Sequence, residues 1–153
     1  MPESSGRIVV GVDGSDGARR ALAWAVDEAR LRGWSVLAVY SYMVPPLLLS
    51  PETAPTGPAT IPDAGLVDRL GDAAEKLVSR ELEQADTDGV EVEGAVGTGP
   101  AADVLRQAAK DAQLLVVGMR GGGGFMGLLL GSVSQQVAQY APCPVVLVPL
   151  DES

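Results

Sequence analysis

The chain has 153 residues, 46% of them hydrophobic, a formal net charge of −9 and no histidine. That length suits one ordinary domain, and the negative charge disfavours nucleic acid and anionic lipid surfaces as partners. Without histidine there is no His-based triad and no His-ligated metal, and one cysteine, Cys143, makes neither an internal disulfide nor a thiolate zinc site. Cys143 lies between Pro142 and Pro144 and reads as a small buried residue in a reduced compartment. The first residues, MPESSGRIVV, lack a basic region followed by a long apolar segment, so no signal peptide is expected. No apolar run approaches the roughly 18 residues of a membrane span. The expectation is a soluble, cytoplasmic protein of one domain, residues 1–153, with an aliphatic core.

Ile8 to Val12 is a short β-branched run and reads as a buried strand. Ser15 and Asp16 follow as helix-start residues, then Ala18, Leu22, Ala25 and Ala29 recur at helical spacing until Gly33 stops the helix. Val36 to Tyr40 is a second buried strand. The stretch 43–62 holds six of the eleven prolines and has no period, so it reads as a long loop. A helix resumes with Leu66, Leu70, Ala73, Leu77 and Ala85 on its apolar face. Val90 to Val96 alternates with Glu91 and Glu93, as a half-exposed edge strand does. Gly99-Pro100 opens a helix with proline at its first position, and Ala101, Val104, Leu105, Ala108 and Ala112 form the buried face. Leu114 to Val117 is a fourth strand, Ser132 to Tyr140 a short helix, and Val145 to Val148 the last strand.

Strands alternating with helices predict an α/β fold. It is a doubly wound, Rossmann-like parallel sheet of five strands with helices on both faces. Ligands of such sheets sit beyond the carboxyl ends of the strands, where the winding reverses. The two loops with unusual residues leave strands there: Asp13-Gly14-Ser15 after the first strand, and the glycine-rich run from Gly118 after the fourth.

The strongest motif is Gly118-Met119-Arg120-Gly121, nine residues, then Gly131-Ser132. Glycines let a ligand come close to the backbone. The helix that follows offers unpaired N–H groups and the positive end of its dipole. Together these make an anion site that needs no lysine. Ser132 and Ser134 supply hydroxyl donors, and Arg120 is the one cation of the segment. The Walker motif is absent; the only lysines are Lys76 and Lys110, both on helices. Gly122-x-Gly124-x-x-Gly127 formally matches a dinucleotide fingerprint, but no helix opens there and no acidic residue follows at the required distance in a second strand. Asp13 is positioned to accept from ribose hydroxyls or to make an indirect contact with Mg²⁺; the plainer reading is that it shapes the turn or caps the first helix.

Three segments resemble the universal stress protein family: IVVGVDGS at the first strand, LLVVGMRGGGGFMGLLLGSVSQQV at the fourth and beyond, and CPVVLVP at the end. The likeness runs from Arg7 to Pro149. The spacing Gly118, Gly121, Gly131, Ser132 matches the G-x2-G-x9-G-[ST] pattern of the branch that binds ATP. The resemblance implies strand order 3-2-1-4-5. It implies that Asp13 and Gly118 meet ribose, that backbone around Val12 and Ser41 meets adenine, and that Gly121, Gly131, Ser132, Val133 and Ser134 hold phosphates. Ser15, Met119 and Arg120 complete the expected ATP-binding set, with ATP and Mg²⁺ as the ligands.

The expected function is a stress-response regulator that binds ATP. A slow ATPase or phosphatase, a cyclic-AMP sensor and a scaffold without a ligand are the alternatives. No histidine, catalytic lysine or carboxylate pair supports fast chemistry, so the chain is expected not to be an enzyme. Val145 to Val148 is an apolar strand without alternation, and in the order 3-2-1-4-5 it is an edge. Such an edge invites pairing, so a homodimer through residues 145–148 is expected, and the resemblance favours it.

Overall fold

The computed structural model describes residues 6–44, 64–119 and 130–150. Most of the proline-rich stretch 43–62 lies outside the described residues, as do Arg120 and Gly121. The elements run β1 (Arg7–Gly11), α1 (Asp16–Arg32), β2 (Ser35–Tyr42), α2 (Ala64–Gln84), β3 (Val92–Thr98), α3 (Ala101–Ala108), β4 (Leu114–Gly118), α4 (Ser132–Tyr140) and β5 (Val145–Val148). All strand pairs are parallel, and the order is β3-β2-β1-β4-β5.

The side chains of the sheet divide between two cores. Ile8, Val10, Val36, Val116 and Val148 pack with α1 and α2, around Ala21, Leu22, Ala25 and Val78. Val9, Val39, Leu115 and Val117 pack on the other face with α3 and α4, around Leu105 and Val137. This is the doubly wound arrangement that the alternation of elements predicts. The chain winds one way from β1 through β2 to β3, and the other way from β4 to β5. The reversal lies between β1 and β4, whose Ile8, Val9, Val10, Leu115 and Val116 are fully buried. Each such side chain contributes roughly 1.5–3 kcal/mol by burial, so the crevice stands on the best-packed part of the sheet.

Three local expectations are corrected. The third strand starts and ends two residues later than its alternation suggested. Gly89 has φ of 77° and Val90 N–H donates to Thr87 O, which keeps Val90 in a turn, while β2 pairs as far as Tyr42↔Thr98. The buried face of α2 is rotated: Ala73 is exposed, and Ala74, Val78 and Glu81 are buried. The cause is Gly94 on β3, which α2 uses as a seat; a Cβ there would lie 2.4 Å from Val78 Cγ1. Pro100 stands as the N-cap of α3 rather than its first helical residue.

Candidate functional site

The loop after β1 is ordered by its own side chains. Val12, buried, continues the ladder by donating its N–H to Val39 O at 2.9 Å. Gly14 has φ of 84°, a conformation that disfavours any other residue, and it turns the chain into α1. Asp13 Oδ1 accepts from Ser15 N–H at 2.9 Å and from Ser15 Oγ–H at 2.5 Å. Ser15 Oγ in turn accepts from Ala18 N–H at 3.2 Å and caps α1. Asp13 therefore shapes the turn, as the plainer reading expected. Its other oxygen, Oδ2, has no hydrogen-bond partner among the described residues and the side chain is exposed, so it remains available to a ligand. Among the described residues, no three carboxylate or thiol groups come together. Asp13 alone does not make a cation site, so an Mg²⁺ here must be carried mainly by phosphate oxygens.

The end of β4 meets the start of α1 and of α4. A Cβ on Gly118 would lie 2.9 Å from Gly17 O and 3.0 Å from Gly17 C, so the first turn of α1 rests directly on this glycine. Close helix packing is thus sufficient reason for glycine at 118. Met119 N–H donates to Val148 O at 2.9 Å, and Met119 O accepts from Gly131 N–H at 2.7 Å. The chain that leaves at Met119 therefore returns to the same point at Gly131. Ser134, only 3% exposed, shares the single proton of its hydroxyl between Gly118 O (2.8 Å) and Met119 O (2.9 Å). These bonds fix the N-terminus of α4 against the carboxyl end of β4. The first helical bond is Gln135 N–H to Gly131 O. By helix geometry the N–H groups of Ser132, Val133 and Ser134 are left without intrahelical acceptors. They stand at the switch point with the positive end of the dipole.

This geometry revises two roles. Gly131 has φ of −75° and ψ of 170°, ordinary extended backbone, so no left-handed conformation requires glycine there. Its N–H is taken by Met119 O, and the Ser134 hydroxyl is taken by two carbonyls. What remains for an anion is the backbone N–H of Ser132, Val133 and Ser134 and the exposed hydroxyl of Ser132. Ser41 also has a local partner: its Oγ–H donates to Gly99 O at 2.5 Å, while Gly99 N–H donates to Tyr42 O at 3.0 Å. Ser41 ties the end of β2 to the turn that starts α3, and its hydroxyl is not directed to a ligand. Val12, Asp13, Ser15, Ser41, Gly118, Met119, Gly131, Ser132, Val133 and Ser134 all lie along the carboxyl edge of the sheet.

One pair was missed in the sequence. Arg19 reaches from the first turns of α1 to Glu81 on α2 with two bonds, Nε to Oε1 at 3.0 Å and Nη2 to Oε2 at 3.2 Å. Glu81 is 4% exposed, and its hydrogen bonds and charge raise the pKa of the Arg19 guanidinium above its ordinary value. The pair holds α2 beside the Asp13 turn, where Leu77 lies 3.8 Å from the Cβ position of Gly14. The signal was present: Glu81 follows Ala74 and Val78 at spacings of seven and three, on the stripe that α2 buries. Cys143 is half buried against the α3/α4 core, and desolvation pushes its thiol pKa up, which suits an inert packing role.

Comparison with known proteins agrees with this architecture. The model of the universal stress protein family matches residues 5–149. A universal stress protein of Mycolicibacterium smegmatis is 37% identical over 148 residues, covering 92% of this chain and 45% of that protein. The chain thus spans about half the length of that relative. A universal stress protein of Thermus aquaticus is 35% identical and is covered over 96% of its length. Among solved structures, the universal stress protein from Archaeoglobus fulgidus in complex with dAMP is 28% identical, with a TM-score of 0.59 and coverage of 93% of this chain and 96% of that one. No helix among the described residues is long and apolar enough to cross a membrane. The parallel sheet in the order 3-2-1-4-5, the glycine-lined junction at its switch point and the match over nearly the whole length agree: the chain belongs to the universal stress protein family.

Proposed function

We propose that the chain binds ATP at the carboxyl edge of β1 and β4 and acts as a stress-response regulator through its nucleotide-bound state. The observation that carries this reading is the pinned N-terminus of α4, with the amides of Ser132, Val133 and Ser134 unpaired among the described residues at the switch point. Such an N-terminus holds phosphates without lysine, which suits a chain of net charge −9. Arg120 and Gly121 belong to the proposed phosphate site by motif spacing alone. Asp13 Oδ2 serves the ribose, and backbone beside Val12 and Ser41 borders the base. Mg²⁺ enters with the triphosphate, indirectly steadied by Asp13. The dAMP complex of the Archaeoglobus fulgidus relative supports an adenine nucleotide as the ligand class.

The same groups argue against rapid turnover. They are donors suited to holding phosphate, and the chain has no histidine to serve as a general base. Hydrolysis, if measured under saturating Mg-ATP, should lie far below the roughly 10 s⁻¹ of a median enzyme. We also assign a homodimer to the chain, formed through the open edge of β5. Val145, Val146 and Leu147 are only half buried there, whereas β3 at the other edge carries Glu93, exposed. The cytoplasm is the compartment that fits this reading. Calorimetry with Mg-ATP, dAMP and cyclic AMP, coupled to mass spectrometry of ligand retained through purification, tests the proposal. Saturable Mg-ATP binding supports it. Binding of cyclic AMP alone favours the sensor reading, and binding of none of the three sinks the nucleotide site.

A further inference from the structure

Residues 77 to 81 of α2 meet three other elements. Val78 seats on Gly94 of β3. Leu77 Cδ1 lies 3.8 Å from where a Cβ of Gly14 would stand, against the turn that carries Asp13. Glu81, buried, takes both bonds of the Arg19 fork, at 3.0 and 3.2 Å. The same guanidinium reaches Asp16 Oδ1 through Nη1 at 3.4 Å. Asp16 opens α1 directly after Ser15, whose N–H and hydroxyl hold Asp13 Oδ1. Arg19 N–H also donates to Ser15 O at 3.0 Å. A continuous set of bonds thus runs from Glu81 through Arg19 and Ser15 to the Asp13 carboxylate. Docking of α2 does not require the ion pair, because Val78 and Leu82 already pack on Gly94. A buried carboxylate also gives up hydration, and such a pair adds little stability over an apolar pair of similar size. What the pair supplies is geometry: two parallel bonds in one plane fix the distance and angle between two helices.

We propose that Arg19 and Glu81 are positioning residues for ribose recognition, an inference that rests on the nucleotide site proposed above. By tying the first turn of α1 to α2, they hold the Asp13 turn in the conformation that presents Oδ2 to the sugar hydroxyls. Leu77 backs the turn at Gly14, and Arg19 fixes the helix that follows it, so both ends of the Asp13 loop are held by α2. The start of α4, which offers its amides to the phosphates, packs on the other face of the sheet, away from this pair. The pair therefore acts on one part of the ligand. Without it the Asp13 side chain must be ordered when the nucleotide binds, and that ordering costs affinity for the ribose. The phosphate contacts keep their own support from Gly118 and Met119.

Arg19→Met/Glu81→Met in the full chain removes both charges together and leaves no buried carboxylate unpaired. Its melting temperature should match or exceed that of the wild type, while calorimetry should show Mg-ATP bound about two- to tenfold more weakly, the cost of ordering one side chain on binding. The nucleotide 2′,3′-dideoxy-ATP, which lacks both ribose hydroxyls, should bind the two proteins alike. In an Asp13→Ala background the double substitution should cost no further ATP affinity. Arg19→Lys keeps a charge beside Glu81 but not the fork, and should show the same selective loss in part, even if the methionine pair fails to fold. Unchanged ATP affinity in the folded variants, an equal loss for the dideoxy nucleotide, or a further loss without Asp13 overturns the positioning role while leaving the nucleotide site intact. A wild type with no preference for ATP over the dideoxy nucleotide overturns the ribose contact of Asp13, and the role of the pair with it. A wild type that binds neither nucleotide overturns the site itself.

Discussion

Replacing Ser134 by alanine separates two roles for this residue. Its hydroxyl is buried and bonded to Gly118 O and Met119 O at 2.8 and 2.9 Å, so its removal costs the junction of β4 and α4 rather than a phosphate contact. Met119 O keeps the N–H of Gly131 as a partner, whereas Gly118 O loses the hydroxyl. A buried acceptor left without one of its donors costs about 1–3 kcal/mol. For a chain of this size each kcal/mol lowers the melting temperature by about 2–4 °C. Ser134→Ala should therefore melt roughly 2–12 °C below the wild type, read by circular dichroism. The backbone N–H of residue 134 remains, so Mg-ATP affinity by calorimetry should stay within about threefold. A variant with unchanged stability and an affinity lost by tenfold or more would refute the reasoning, because the hydroxyl would then be serving the ligand.

Gly131→Ala should fold and melt like the wild type, since φ of −75° and ψ of 170° suit alanine, yet bind Mg-ATP at least about tenfold more weakly because a methyl group enters the anion's path. Gly118→Ala should be destabilised by about 1–3 kcal/mol in urea titrations with or without nucleotide, since its Cβ would press on the Gly17 carbonyl oxygen at 2.9 Å. Light scattering should report about twice the 15.7 kDa chain mass. Leu147→Pro should shift that mass toward monomer, because it removes an edge-facing N–H while leaving the bonds to β4; a folded, fully dimeric variant places the interface elsewhere.

The strands and their order were legible because a buried parallel strand leaves a blunt signal. IVV, LLVV and VVLV admit few other readings between helical repeats, and the resemblance supplied the order of the sheet. The site was legible as a place, since its glycines punctuate a strand-to-helix junction. What escaped were hydrogen-bond assignments made by distant chain segments. Ser134 looks like a phosphate donor through its hydroxyl until Gly118 and Met119 present their carbonyls to it. Gly131 reads as a point of close ligand approach, yet its own N–H is taken by Met119 O. The apolar face of α2 was misjudged by one position because the seat at Gly94 belongs to another element, and that shift hid the Arg19–Glu81 pair.

A nitrogen-15 amide titration with Mg-ATP bears most directly on nucleotide binding at the start of α4. The amides of Ser132, Val133 and Ser134 should show the largest saturable shifts, with one equivalent bound per chain, while those of Gln107 and Lys110 at the opposite pole stay still. Saturation with the shifts centred on Arg106, Lys110 and Tyr140, or no shift at all at millimolar nucleotide, would contradict it.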